Sequence, residues 1–217
     1  MTNNLSVLIG TCDAYRSLWE NFSICFDKYW QHHTRNIFVG ETISVPVCVN
    51  TKFETILCGK DISWGRRMRE GIEASEDYIF FILDDYFFHY SYSEQQLNTY
   101  VADMELHKMN RLQISASGHQ KYVGARNLKY DQIASHSKYL ISMQPSIWRK
   151  GFLMDTLAPS YSPWDFEKKG TRRIRNKEKG TYIDRSVPSV YFNAVRKGFK
   201  KSEGWEDFRK QQQLKDF

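Results

Sequence analysis

The run Tyr78-Ile-Phe-Phe-Ile-Leu83 is apolar at every position and stops at two adjacent acids, Asp84 and Asp85. Unbroken apolar character over a strand length suits a strand covered on both faces, and such a strand belongs to a sheet with helices packed on each side. An ionised carboxylate at the edge of that core is costly unless something compensates it. One compensator is a divalent cation bound to a diphosphate, because Mg2+ and Mn2+ bind one or two carboxylates and complete their shell with phosphate oxygens. The competing reading is local: Asp84 caps the following turn and Asp85 faces water.

The flanking sequence builds an α/β frame around this strand. Leu5-Ser-Val-Leu-Ile-Gly10 reads as a buried strand opening into a loop at Thr11. Leu18, Trp19, Phe22, Cys25, Phe26 and Tyr29 then recur at helical spacing over 15–30. A second strand fits 36–40, so the chain opens as βαβ, with the ligand crevice expected at the carboxyl ends of the strands. Short strands are expected at 45–49 and 53–57, with Pro46 restricting the first to an edge. A helix follows over 64–74 with Ser63 as its cap. Further on, the pattern predicts a helix over 93–110, irregular structure over 112–139, a short helix over 148–157 and a late strand over 186–191.

At 217 residues the chain suits one substantial core, and a composition 26% charged and 15% aromatic is neither disordered nor fibrous. Cys12, Cys25, Cys48 and Cys58 lack the close pairs of a zinc or redox motif, so they are expected as reduced, packed thiols in a cytoplasmic protein. No segment reaches the length of a membrane span. The net charge of +6 is concentrated late in the chain, at Lys168, Lys169, Arg172, Arg173, Arg175, Lys177 and Lys179. Such a cluster suits phosphate-bearing substrates or anionic headgroups at the inner face of a membrane. Nucleic-acid binding is the competing class, prompted by aromatics interleaved with the C-terminal charge, but nothing resembling a nucleic-acid motif accompanies it. A nucleotidyltransferase would want a glycine-rich phosphate loop, which Gly10-Thr-Cys-Asp13 does not supply.

Positions 68–85 resemble family 2 glycosyltransferases of the GT-A fold, in which an Arg-rich helix start leads through Gly and Ala to an apolar strand and an acidic motif. Here Gly71-Ile-Glu-Ala74 precedes the strand, and the interval from Gly71 to Asp84 matches the family's. The first strand and its loop are similar as well. The resemblance implies a Rossmann-like GT-A fold, with a central, mostly parallel sheet flanked by helices. It implies a single domain over 1–217, with a nucleotide-binding half at 1–90 and an acceptor-binding half at 91–217. It further implies that Thr11 and Asp13 contact the base or ribose, that Glu41 reads the base, and that Arg67 belongs to the same nucleotide-sugar subsite. Asp84 and Asp85 correspond to the metal motif, for Mg2+ or Mn2+. The motif's third position is Tyr86 rather than an acid, so either Asp85 takes the metal or the site works with little metal assistance.

Positions 144–153 and 162–167 resemble small bacterial glycosyltransferases of surface polysaccharide loci, where an acidic residue deprotonates the acceptor hydroxyl. Asp165 and Glu167 are the candidates for that general base, Glu167 slightly preferred. Both also read as the first turn of a helix started at Ser162-Pro163. Trp148 and Trp164 offer faces for a sugar ring, and Arg172 and Arg173 offer charge for the departing diphosphate; core aromatics and a solvated basic loop are the plainer readings. The implied reaction is direct displacement from a nucleotide-sugar donor to a saccharide or lipid-linked acceptor, with inversion. A non-catalytic scaffold of a polysaccharide assembly complex is the alternative outside enzymology.

Overall fold

A computed structural model describes residues 4–44, 52–115, 121–124, 129–175, 180–196 and 200–217. The expected strand over 45–49, together with Cys48, Lys177 and Lys179, lies outside them. The first half forms strand β1 (Leu5–Gly10), a 3-10 turn (Asp13–Leu18), helix α1 (Trp19–Tyr29), β2 (Arg35–Gly40), β3 (Phe53–Leu57), helix α2 (Trp64–Ala74) and β4 (Tyr78–Leu83). These boundaries follow the apolar runs closely. Next come β5 (Tyr86–Phe88), α3 (Glu94–Leu106), β6 (Arg111–Gln113), β7 (Tyr122–Gly124), β8 (Asp131–Ile133), β9 (Ser146–Arg149) and α4 (Lys150–Thr156). A continuous helical segment follows, made of α5 (Pro163–Asp165), a π-helical turn (Phe166–Gly170) and α6 (Thr171–Ile174), and then β10 (Thr181–Ile183), β11 (Tyr191–Asn193) and α7 (Trp205–Gln212).

Among the described residues nine strands form one sheet in the order β3-β2-β1-β4-β9-β6-β10-β8-β7. The block β3-β2-β1-β4 is parallel throughout, as is the β6-β10 pair. The joins of β9 to β4 and β6, and the β10-β8-β7 edge, are antiparallel. The result is a mixed α/β fold whose central sheet is flanked by helices. β4 alternates between the two cores: Tyr78, Phe80 and Ile82 join Trp19, Phe22, Phe26, Leu97 and Tyr100 on the α1/α3 face. Ile79 and Phe81 join Met68, Ile72, Leu153, Phe166 and Ile174 on the α2/α4 face. Alternation invisible in an all-apolar run is thus real, because both faces are covered.

Three expectations need correction. The helix over 93–110 stops at Leu106, since Lys108 takes a left-handed φ of 51° and closes a Schellman turn, with Lys108 N donating to Glu105 O and Met109 N to Met104 O at 2.8 Å. Trp148 belongs to β9 rather than to a helix; its strand is held between β4 and β6, with Trp148 opposite Ile79 and Arg111. The late strand is Tyr191–Asn193, where pairing with β5 exists.

Gly65 lies at the start of α2, its N–H donating to Tyr161 O at 2.8 Å. A Cβ there would sit 2.4 Å from Ala158 O, a backbone atom that no rotamer change removes. Gly65→Ala is therefore expected to cost about 1–3 kcal/mol in urea unfolding. Gly151→Ala in α4 meets nothing within 4 Å and should leave stability unchanged or gain up to about 1 kcal/mol.

Candidate functional site

The chain runs from β1 outward to β2 and β3, then returns to place β4 on the other side of β1. The gap between the carboxyl ends of β1 and β4 is therefore a topological switch point, the place where open α/β sheets bind ligands. In register, Gly10 lies opposite Leu83, so Thr11 and Asp84 leave the sheet side by side. Thr11 Oγ1 donates to the Asp84 carboxyl, and Trp19 Nε1 reaches both Asp84 Oδ2 at 2.9 Å and Thr11 Oγ1 at 2.8 Å. Asp84 is only 4% exposed. Burial first, and the neighbouring Asp85 charge second, push its carboxyl well above the usual range. Asp84 is thereby occupied as an internal strut tying the β1 loop to α1.

Asp85 differs. Its side chain stays partly accessible, yet its Oδ1 is enclosed and has no hydrogen-bond partner among the described residues. Burial pushes its carboxyl up to about 7. Tyr15, from the loop after β1, feels both acids and is raised to about 12, mainly by its own burial. Tyr86, in the place where a third acid was expected, is buried and stacks on Tyr191 with ring centroids 4.2 Å apart. Tyr191 in turn donates to Gln144 Oε1 at 3.1 Å. Both tyrosines feel the charges of Asp85 and Glu167, which add to the burial that raises their hydroxyls.

Glu167 sits in the π-helical turn and points inward, where it accepts from Met143 N at 2.8 Å. Burial raises its carboxyl, while the Met143 N–H and the Arg111 charge pull the other way. Arg111 is fully enclosed, with its guanidinium over the Trp148 ring and bonds to Leu140 O, Ser142 Oγ and Gln113 Oε1. Segment 140–143 is thus clamped between Arg111 on β6 and Glu167 on the helix. A π turn adds a residue to the helical cycle and is frequent at functional sites.

The remaining expected residues fall in distinct places. Asp13 accepts from Thr42 N and Ile43 N at 3.1 and 3.2 Å, and Glu41 accepts from Asp13 N at 3.0 Å. Arg67 is buried beneath Glu41 at 2.7 Å, so the nucleotide-side residues form a braced pair of loops with Arg67 as support. Asp165 closes the capping box with Ser162 and pairs with Lys169 at 2.9 Å, which accounts for its carboxylate as a helix start. Trp148 cannot offer a sugar-stacking face: at 1% exposure its ring is covered by Arg111, Phe152 and Phe166. Trp164, Arg172 and Arg173 lie on the exposed side of the helix whose inner side carries Glu167. Tyr15, Trp19, Gln144, Tyr191 and Arg111 carry no site signal in the sequence; Trp19 reaches Asp84, Tyr191 reaches Gln144 and Arg111 reaches Ser142, long-range contacts that no local pattern encodes.

Among the described residues no group of three or more His, Cys, Asp or Glu could hold a metal ion unaided. The unpartnered Asp85 Oδ1 nevertheless fits a Mg2+ or Mn2+ that takes its other oxygens from a diphosphate and water. A surface depression of about 320 Å³, lined by Asn4, Asp77, Glu105, Arg149 and Lys150, lies at the opposite ends of β1 and β4 from Asp85. Its cations are already bonded to backbone carbonyls: Arg149 to Met104 O and Met109 O, Lys150 to Glu73 O and Ser75 O.

No family model matches the sequence, and no curated protein matches it. Solved structures do match in fold. Residues 1–349 of S. aureus TarS superpose with a TM-score of 0.55 at 13% identity, over 87% of this chain and 59% of that one. TarS in complex with UDP-GlcNAc matches with a TM-score of 0.50 at 13% identity, over 90% of this chain and 59% of that one. This chain spans 59% of the length of either structure.

Proposed function

We propose that this chain is a glycosyltransferase that moves a sugar from a nucleotide-sugar donor to a saccharide or lipid-linked acceptor in bacterial surface polysaccharide synthesis. The observation that carries the reading is the β1/β4 switch point, where an enclosed Asp85 oxygen has no hydrogen-bond partner among the described residues. A protein of the same fold, TarS, is known with UDP-GlcNAc bound, which supports a nucleotide sugar as the ligand class. The free thiols of Cys12, Cys25 and Cys58 suit a reducing, cytoplasmic setting.

In this mechanism the loops of Thr11–Asp13 and Glu41, braced by Arg67, receive the nucleoside. Asp85 faces the diphosphate, and Asp85 is the residue that would hold Mg2+ or Mn2+. Such a cation, when bound, offsets negative charge on the phosphates. Glu167 takes the proton of the acceptor hydroxyl as its oxygen bonds to the anomeric carbon, and the carbon–oxygen bond to the diphosphate breaks with the electron pair leaving on the diphosphate. One displacement of this kind inverts the anomeric configuration. Enclosure by Tyr86, Tyr191 and Gln144 limits water as a competing acceptor.

Nucleic-acid binding is not favoured, because C-terminal aromatics among the described residues are engaged in packing: Trp205 and Phe208 are buried, and Phe192 stacks on Phe208 at 4.4 Å.

A thermal-shift panel of nucleoside diphosphates and sugar nucleotides, with and without Mn2+, tests the reading. A ligand at 100 times its Kd adds about 2.7 kcal/mol, or roughly 5–10 °C for a chain of this size. A response to one nucleobase series supports the assignment. A flat panel contradicts it.

A further inference from the structure

The helical segment that carries Glu167 has an outer face the reaction does not use. Its inner side is Phe166, Gly170, Thr171 and Ile174, all buried. Its outer side is Trp164, Lys168, Lys169, Arg172, Arg173 and Arg175, all exposed. Trp164, Lys168 and Arg172 recur every fourth residue and so share one ridge, with Lys169 and Arg173 beside it. Trp164 is 70% exposed, unusual for the largest side chain. Asp165, the one acid on this side, is engaged by Ser162 and Lys169.

We propose that this face docks on an anionic membrane surface, with Trp164 entering the headgroup layer and the cations lying against lipid phosphates. Charge complementarity selects the occupant: a lone exposed indole beside a cationic ridge has the composition of an interfacial helix. Among the described residues no helix is long and apolar enough to cross a membrane, and the contact proposed is with the membrane surface. This inference rests on the glycosyltransferase reading in one respect. Glu167 lies on the opposite side of the same helix, so docking would hold the base about one helix diameter, ~10 Å, from the membrane surface, and a lipid-linked acceptor is favoured over a free saccharide.

Cosedimentation of the full chain with vesicles tests the proposal. Binding is expected to phosphatidylcholine vesicles containing phosphatidylglycerol, not to phosphatidylcholine alone, and to fall as salt rises. Each cation neutralised should weaken partition about fivefold, so Lys168→Gln with Arg172→Gln should lose roughly 25-fold, and Trp164→Ser should lose binding with the cations intact. The variants' melting temperatures, expected unchanged at such exposed positions, establish that they are folded. Absence of binding to anionic vesicles, equal binding by folded variants, or RNA displacing the vesicles would each overturn the proposal. The wild-type nucleotide shift is read separately. If that shift persists while vesicle binding is absent, only the docking face is lost; if vesicles bind but no nucleotide does, docking stands and the enzymatic reading goes.

Discussion

Asp85→Asn abolishes most of the thermal stabilisation that a sugar nucleotide confers on the wild-type chain, while the melting temperature without ligand stays the same or rises. The two halves of this result have one cause. Asp85 is enclosed strongly enough for burial to push its carboxyl up to about 7, and its Oδ1 has no partner within the described residues. In the unliganded chain the negative form is therefore unfavourable, and an uncharged amide removes that cost. In the complex the charge has work to do, because a hydrogen bond or ligand contact to an ionised group contributes about 1.5–3 kcal/mol. Affinity should fall about 10–100-fold, so that at a concentration 100 times the wild-type Kd the stabilisation drops to about 0.4–1.4 kcal/mol. Asp84→Asn behaves differently. Its amide oxygen still accepts from Trp19 and Thr11, the two donors that occupy Asp84 in the wild type, so the ligand response is largely kept. Equal losses in the two variants would contradict the division of roles.

Glu167→Gln is expected to lower kcat by about 10²–10⁴ with little change in donor KM, since the carboxylate acts on the acceptor hydroxyl. The glutamine oxygen can still accept from Met143 N, the contact Glu167 makes at 2.8 Å, so the loop at 140–143 keeps its place. Burial raises Glu167 above its ordinary value, which means the folded chain holds that proton more tightly than the unfolded chain. The group thus favours the folded state below its unfolded pKa, and that contribution is lost as pH rises through the raised, folded pKa. Two measurements follow. The acid limb of kcat/KM in the wild type should lie above the ordinary glutamate range of about 4.3, and Glu167→Gln should melt no lower than wild type near neutral pH. A variant with full turnover, or an acid limb at the ordinary value, would remove Glu167 from the reaction.

The parallel core was legible because it is written in consecutive residues. Runs such as 5–10 and 78–83 are too apolar to be anything but buried, and Ser63 and Ser93 cap their helices as their positions suggest, accepting from Arg66 N and Gln96 N. The site was legible only in part. Adjacency of Asp84 and Asp85 drew attention to the carboxyl end of β4, but which acid is left unpartnered depends on Trp19 from α1 and Thr11 from the loop after β1, both of which engage Asp84. Trp148 shows the same limit: Ser-Ile-Trp-Arg followed by Lys-Gly-Phe-Leu-Met has apolar spacing compatible with one helix. The first four residues form a strand because β4 and β6 present open edges on either side of them. Tyr191 and Gln144 carried no local signal at all, since their meeting requires the β5/β11 ribbon to fold over the sheet.

The proposed mechanism puts a donor's diphosphate at the carboxyl ends of β1 and β4. A crystal structure of the chain with UDP-GlcNAc and Mn2+, or with the sugar nucleotide the thermal panel selects, tests this directly. Diphosphate density is expected beside Asp85, between the Thr11 loop and the Tyr86–Tyr191 pair. Density in the depression lined by Asp77, Arg149 and Lys150 at the opposite end of the sheet would contradict it.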